Sequence, residues 1–290
     1  MLTSANRQTQ YVDPSSAQTY SNNNDVQFSH GNDFVDKYGH FIKGPVLDIG
    51  CGTGELTAHI AKKMSVLMTG MDISEARIKF ASERYGSNEI KFVVGSATAL
   101  KVPQSSYNTI VSFNALHHVP TENQMQVFQA TKKALTPDGV ILFLIPGRSP
   151  ELHDAINETA ASDTWKRWFS DFDLSKVRTY QIPEYNKKLS KSAGFYDCDA
   201  TVECDKGGKE LDANGMRDFL SGWLPHLAHL NIKIPDHKER EILQDKFLNA
   251  IVKLYFFKMQ KEISATVNPA IMQNKLVAFA SKAAFCICLK

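Results

Sequence analysis

The chain has 290 residues, 43% of them apolar, and its 33 Lys and Arg stand against 31 Asp and Glu for a net charge of +2. That balance excludes the basic footprint of a nucleic-acid binder and creates no demand for an anionic membrane surface. The length suits one large domain or a domain carrying an insertion, and with no apolar run long enough to span a bilayer and no apolar signal core, the expected setting is the cytoplasm.

Five cysteines, Cys51, Cys198, Cys204, Cys286 and Cys288, form no CxxC pair and are odd in number. They predict neither a disulfide framework nor a zinc site, and no metal is expected.

Residues 1–16 are rich in Ser, Thr, Gln and Asn and predict a disordered N-terminus. From Ala17 to Lys43, Tyr20, Val26, Phe28, Phe34, Val35, Tyr38, Phe41 and Ile42 give an apolar face over about two helices. This segment needs a surface to pack on, and the opening of a ligand site is one candidate.

Val46 to Thr57 reads VLDIGCGTGELT. The apolar run ending at Ile49 predicts a buried strand, and Leu56, Ile60 and Met64 predict a helix. Between them, Gly50, Cys51, Gly52, Thr53 and Gly54 make a turn with little side-chain bulk, the arrangement that lets backbone approach a nucleotide-like ligand. Asp48 is a carboxylate in a buried strand and requires a partner, which a cationic ligand group would supply. Cys51 reads as a small space-filler, since the sequence offers it no basic partner.

A second strand ends at Asp72, about twenty residues beyond the glycines, where a carboxylate can accept hydrogen bonds from a ribose diol. Ser74 is expected to cap the following helix, with Ile73 and Ile78 as a hydrophobic staple. Ile90 to Val94 and Thr109 to Phe113 predict the third and fourth strands. Thr121 and Gln124 form a candidate capping box, and a fifth strand, Val140 to Ile145, follows a Pro137-Asp138-Gly139 turn. Strands alternating with helices argue for a parallel sheet covered on both faces.

Beyond Pro146 the rhythm changes. Residues 150–172 and 209–263 look largely helical, Pro183 to Ala193 predicts a helix, Phe195 to Cys204 a strand, and Leu276 to Ala280 a last strand. Cys286 and Cys288 fit strand or tail packing. Leu243, Phe247, Ile251 and Leu254 form an apolar stripe expected to pack on a core rather than on a membrane. Trp165, Trp168, Phe169, Phe172, Phe219 and Trp223 are either core or the lining of an apolar acceptor pocket, with core favoured for any single one.

The D-x-G-x-G-x-G form of the glycine turn, Asp72, the Gly95-Ser96-Ala97 strand end and the Asn114-Ala115-Leu116-His117-His118 loop together resemble the motifs of class I S-adenosylmethionine-dependent methyltransferases over roughly residues 44–147. The resemblance implies an α/β, Rossmann-like, doubly wound and mostly parallel seven-stranded sheet with helices on both faces and a helical cap. It implies S-adenosyl-L-methionine as cofactor, held by Tyr20, Asp48, Gly50, Cys51, Gly52, Thr53, Gly54, Asp72, Ile73, Ser96, Ala97 and Asn114. Ser96 departs from an acidic residue and Asn108 from an aspartate of the family pattern.

Tyr20 to Gln27 (YSNNNDVQ), Phe219 to Pro225 and the LVAFASK stretch are similar to juvenile hormone acid O-methyltransferases, and trans-aconitate methyltransferase shares some of this layout. That similarity implies that Gln27 grips a substrate carboxylate, with His118 standing where the group has Trp. The expected reaction is methyl transfer to a small-molecule acceptor, a carboxylate oxygen first. A phenol, amine or lipid precursor, or a non-catalytic cofactor-binding regulator, are the alternatives. His117 and His118 are candidate bases for an alcohol or phenol, or a loop pair without chemical role; being adjacent, they are expected to point in different directions. Gln27 is either substrate-positioning or a solvent-exposed helix residue. The expected organisation is 1–16 disordered, 17–43 helical over the site, 44–147 cofactor-binding core, and 148–290 completing the sheet with an inserted cap at about 150–182 and 207–272. The expected state is monomer or homodimer, without nucleic acid or membrane.

Overall fold

A computed structural model describes residues 17–147, 149–174, 177, 182–204, 209–266, 277–279 and 282–289. The expected disorder of residues 1–16 lies outside the described residues. Two helices open the chain, α1 (Ala17–Asn22) and α2 (Asp25–Tyr38), followed by a 3-10 turn at Gly39–Phe41. Val26, Phe34 and Val35 bury one face of α2, and Phe34 meets Phe113 edge-on at 5.7 Å. The alternating core then runs β1 (Val46–Ile49), α3 (Glu55–Met64), β2 (Met68–Asp72), α4 (Glu75–Tyr85), β3 (Ile90–Val94), β4 (Tyr107–Phe113), α5 (Gln124–Ala134) and β5 (Leu135–Pro146).

Strands β3, β2, β1, β4 and β5 lie side by side in that order and all run parallel. This bears out the Rossmann-like parallel sheet. Strand order reverses between β1 and β4, and the crevice at the carboxyl ends of these strands is where open α/β sheets hold ligands. Successive strand residues serve opposite faces. Leu47, Ile49, Ile110, Ile141 and Phe143 pack in one core with Phe128 of α5. Val46, Met68, Val111, Leu142 and Leu144 pack in the other with Ile60 of α3 and Phe34 of α2. Burial on both faces explains why β1 and β5 read as continuous apolar runs rather than as alternating ones.

The Pro137-Asp138-Gly139 turn is not a separate turn before a strand. It lies within β5, where Leu135 pairs with Tyr107 and Val140 with Thr109, so the extra residues bulge between two paired stretches. Asn108, the departure from the family aspartate, donates its amide to Gly44 O at 2.5 Å and accepts from Thr136 Oγ1 at 2.9 Å. An aspartate has no N–H to give Gly44, which accounts for the amide here.

After Pro146 come α6 (Pro150–Ala161), α7 (Lys166–Phe169), α8 (Pro183–Ser192), β6 (Asp197–Cys204), β7 (Lys209–Leu211), α9 (Ala213–Ser221), α10 (Pro225–Lys233), α11 (His237–Thr266), β8 (Val277–Phe279) and β9 (Lys282–Leu289). One expectation needs correction, and one alternative is decided. The start of the 209–263 range is a strand, β7, which pairs antiparallel with β8 in a separate two-stranded sheet. The main sheet is instead continued from β5 by β9 and then β6, both pairings antiparallel. Of the two readings left open for Cys286 and Cys288, the strand holds, and the near-continuous apolar run from Ala283 to Leu289 is the signature of a strand inside a sheet.

The chain divides into two compact units. One comprises residues 16–147, 175–205 and 282–290, and the other includes 148–174 and 206–281. In the second unit, Phe247, Leu248, Ile251, Val252 and Tyr255 bury the stripe of α11. Trp165 meets Phe247 edge-on at 4.9 Å, Phe169 lies tilted against it at 4.7 Å, and Phe172 meets His226 at 4.5 Å. These aromatics are the unit's own core, and burial among them pushes the His226 imidazole down to about 3.

Candidate functional site

The glycine turn sits at the carboxyl end of β1, and its conformation demands its composition. Gly50, Gly52 and Gly54 have φ of 78°, 56° and 87°, in the left-handed region that other residues rarely occupy. A Cβ on Gly50 would lie 2.2 Å from Ala115 Cβ, and one on Gly54 would lie 2.8 Å from the Phe92 ring. Gly50 N and Cys51 N both donate to Met71 O, at 2.7 and 3.0 Å, which pins the turn to the end of β2. Gly54 precedes α3 without a side-chain cap, leaving the first N–H groups of that helix as an anion- or dipole-binding end beside the turn.

Two carboxylates flank the turn. Asp72, buried at the end of β2, accepts from Gly52 N at 3.0 Å and from Ser74 N at 2.9 Å. An ionised carboxylate offers about four acceptor sites, so two bonds leave capacity for a ligand's hydroxyls. Asp48, fully buried in β1, accepts from Thr57 Oγ1 at 2.6 Å. Burial pushes its carboxyl up to about 7, with Asp72 adding to the rise and the Thr57 hydroxyl opposing it. A protonation equilibrium near neutrality at a buried carboxyl marks a place where a cation would change the balance. The Cys51 thiol is pushed well up, first by burial and then by Asp48 and Asp72, so it is an inert filler.

The N-terminal helices lie on this turn. The Tyr20 ring is 3.3 Å from where a Gly52 Cβ would stand, and the Arg77 guanidinium sits 3.7 Å from the centre of the same ring. Ser21 donates to Glu55, Asn24 Nδ2 reaches Thr53 Oγ1 at 3.5 Å, and Thr53 donates to Glu55 Oε2 at 2.6 Å. Asn114, at φ 53°, donates to Gln27 O at 3.5 Å. The reading of Gln27 as a solvent-exposed helix side chain is therefore corrected: its Oε1 is buried and meets no hydrogen-bond partner among the described residues.

Ser74 caps α4 as expected, accepting from Arg77 N at 3.3 Å. The staple does not form, because Ile73 is 42% exposed while Ile78 is buried. Ile73 instead projects next to Asp72, and Ser96 Oγ stands 3.0 Å from Thr98 Oγ1 at the end of β3, with Ala97 half-buried beside it.

His117 and His118 lie in a 3-10 turn, Leu116–His118. They do not point apart: their rings pack at 3.9 Å with 42° between planes, His117 buried and His118 half-buried. The capping box at Thr121 is also corrected. Gln124 has no exposed surface and turns its amide away from Thr121, donating to Leu116 O at 2.9 Å and Val119 O at 2.6 Å. It closes the histidine loop from within. Thr57, Arg77, Asn24 and Gln124 are the site-forming residues that the motifs did not mark. The one available signal was a polar side chain at a core-facing helix position, as at Thr57 and Gln124.

Among the described residues, no group of His, Cys, Asp or Glu is arranged to hold a metal ion, and no helix is long and apolar enough to cross a membrane.

The methyltransferase domain family matches residues 46–139, the stretch that builds this site. A Geobacillus sp. (strain WCH70) protein named as a methyltransferase is 31% identical over 217 residues, 62% of this chain and 87% of that one. Phosphoethanolamine N-methyltransferase 1 of Arabidopsis thaliana is 31% identical over 176 residues, covering 60% of this chain but only 33% of its own length. The chain thus spans about a third of the length of the plant relatives it matches. Among solved structures, Haemonchus contortus phosphoethanolamine N-methyltransferase 2, in complex with phosphomonomethylethanolamine and S-adenosylhomocysteine, superposes with a TM-score of 0.53 at 17% identity. That match covers 90% of this chain and 52% of the other, and shows a common fold.

Proposed function

This chain belongs to the class I S-adenosylmethionine-dependent methyltransferases, and on that premise we propose that it methylates a carboxylate oxygen of a small organic acid. S-adenosylmethionine supplies an electrophilic methyl group on a sulfonium. The residues at the turn fit that cofactor. Asp72 has free acceptor capacity for the ribose hydroxyls, and the bare backbone of Gly50, Cys51, Gly52, Thr53 and Gly54 admits the amino-acid end. Asp48 supplies negative charge behind the turn for the cofactor's cationic groups. Ile73, Ser96 and Ala97 would hold the adenine, Ile73 with an apolar face and Ser96 with a hydroxyl. Tyr20, whose ring lies against Gly52, and Asn114, on the loop after β4, would close the donor side.

The observation that carries the acceptor reading is the side chain of Gln27, whose Oε1 is buried and whose backbone carbonyl accepts from Asn114 on the loop that leads to His118. An amide N–H and an imidazole N–H are donors suited to the two oxygens of a carboxylate. A carboxylate is already ionised near neutral pH, so this acceptor needs no base and catalysis reduces to positioning and exclusion of water. His117 and His118 then orient the acceptor rather than deprotonate it.

One observation favours a second reading. The unsatisfied atom of Gln27 is an oxygen, which also suits an N–H donor, and relatives of this chain include phosphoethanolamine N-methyltransferases. Methyl-labelled cofactor incubated with carboxylic acids, phenols and amines, phosphoethanolamine included, separates the two. A methyl ester releases labelled methanol in mild base, whereas an N-methyl product retains its label. Base-stable product alone would overturn the carboxylate reading, and cofactor binding without turnover on any acceptor would favour a regulator.

A further inference from the structure

Among the described residues, strand β3 forms one margin of the main sheet, paired with β2 on one side only. Glu89 O accepts from Met68 N and Gly95 N donates to Asp72 O, both at 2.9 Å, so the odd-numbered residues direct their backbone groups at β2. Backbone groups alternate along a strand, and Ile90, Phe92 and Val94 therefore turn N–H and C=O outward. Those of Ile90 are taken by the preceding turn: Ile90 O accepts from Ser87 N at 3.0 Å, and Ile90 N donates to Ser87 Oγ at 3.2 Å. Beyond the strand, Ser96 O accepts from Ala99 N at 3.1 Å. Phe92 and Val94 are left with four outward groups that meet no partner among the described residues. The side chains there are apolar and open, Val93 at 41% and Val94 at 52% exposure, with Ile73 beside them at 42%.

We propose that this edge pairs with the same edge of a second copy of the chain, antiparallel and centred on Val93. In that register Phe92 stands opposite Val94 of the other copy, and Val94 opposite its Phe92, so every free donor meets a free acceptor in four hydrogen bonds. Val93 meets Val93 on the two-fold axis, and Lys91 lies opposite Gly95 rather than another lysine. The two adjacent in-phase registers are blocked. Centring on Phe92 sets Val94 against Ile90, whose groups the Ser87 turn occupies. Centring on Val94 sets Phe92 against Ser96, whose oxygen Ala99 occupies. An edge that matches itself in a single register is what an isologous interface requires, and pairing removes an exposed template for aggregation. The small net charge of +2 per copy opposes association weakly.

Sedimentation of the full chain tests this. Wild type is expected as a dimer. V93D, which faces two carboxylates across the axis, is expected to sediment as a folded monomer with unchanged S-adenosylmethionine affinity, its unfolding temperature no longer dependent on protein concentration. V93C gives an independent readout, because a non-hydrogen-bonded antiparallel pair, about 4.5 Å apart at Cα, lies within disulfide reach. Mild oxidation of V93C is expected to link the copies at position 93, located by peptide mass mapping, whereas V94C, set opposite Phe92, gives no such link. A wild type that is monomeric at every concentration overturns the proposal, as does a dimer that V93D leaves intact or a V93C that links no better than V94C.

Discussion

Gly52 N donates to Asp72 Oδ2 at 3.0 Å, so the carboxylate proposed to hold the ribose is itself fixed by the turn proposed to hold the rest of the cofactor. With Ser74 N at 2.9 Å on the other oxygen, Asp72 cannot rotate without breaking a bond at either end of the turn. The chain thus meets the cofactor with an acceptor already aimed, and little ordering remains to oppose binding. Hydrogen bonds to a charged group are worth roughly 1.5–3 kcal/mol each. Asp72→Ala is expected to weaken S-adenosylmethionine binding by at least about 100-fold in calorimetry, a loss of about 2.7 kcal/mol. Asp72→Asn, which keeps one acceptor oxygen, should fall between. Wild-type affinity in the alanine variant would remove Asp72 from the ribose role.

Asp48 gives the site a pH dependence of predictable sign. Its folded-state carboxyl lies at about 7 against an ordinary 3.8, because burial and the neighbouring Asp72 disfavour the charged form. The folded chain therefore keeps a proton that the unfolded chain loses, and the stability this contributes is fully present below about pH 4 and lost as pH rises towards 7. Cofactor binding runs the other way. A cationic ligand favours the ionised carboxylate, so below pH 7 binding must expel the proton and affinity falls up to about tenfold per pH unit. Calorimetry from pH 5.5 to 7, in two buffers of different ionisation enthalpy, should detect proton release on binding, and Asp48→Asn should abolish both the release and the slope. A slope that survives in Asp48→Asn would place the titrating group elsewhere.

The parts of this fold that were legible are those that local chemistry dictates. Gly50 and Gly54 announce a turn because a side chain at those φ values would run into Ala115 and Phe92, and Gly52 because a Cβ there would crowd the Tyr20 ring. Ser74 announces a helix start because its hydroxyl can reach Arg77 N three residues on. What was misread or left open depends on partners distant in sequence. The β9 strand is chosen by β5, more than a hundred residues earlier, and by β6, and those pairings distinguish it from an apolar tail. Thr121 and Gln124 have the spacing of a capping box, but two carbonyls of the histidine loop compete for the Gln124 amide and win, because at that buried position they have no water to fall back on. Gln27 and Asn114 lie 87 residues apart and carry no mutual signal in the sequence.

Gln27 separates the two acceptor readings. Gln27→Glu places a carboxylate where a half-buried amide now stands with its Oε1 out of solvent. If the acceptor is an acid, two like charges meet in a poorly solvated site, and turnover of acids should fall by well over tenfold, since each 1.4 kcal/mol of repulsion is a factor of ten. If the acceptor is an amine, the same change supplies a counter-charge, and turnover should be kept or raised. Measuring kcat/KM for one acid and one amine with wild type, Gln27→Glu and Gln27→Ala distinguishes these cases. Acid turnover that is indifferent to Gln27→Glu would remove Gln27 from the acceptor site.

Gln124 tests whether the histidine loop must be held for the reaction to proceed. Its amide bridges Leu116 O and Val119 O across the two histidines, and both carbonyls belong to buried residues. Gln124→Met keeps length and bulk but withdraws both donors, and each stranded carbonyl costs roughly 1–3 kcal/mol. Gln124→Glu costs more, because at neutral pH it turns a carboxylate towards two carbonyl oxygens in a dry site. Stability is thus expected to fall in the order Gln, Met, Glu. The loss should be local before it is global: amide exchange in peptides covering 115–119 should rise in Gln124→Met while the β1 and β4 strands keep their protection. The donor site lies on the other side of Ala115, against Gly50, so cofactor affinity should remain near wild type while kcat falls. Unchanged exchange in the loop, or a cofactor affinity that drops in step with kcat, would show that Gln124 supports the fold at large and not the placement of His117 and His118.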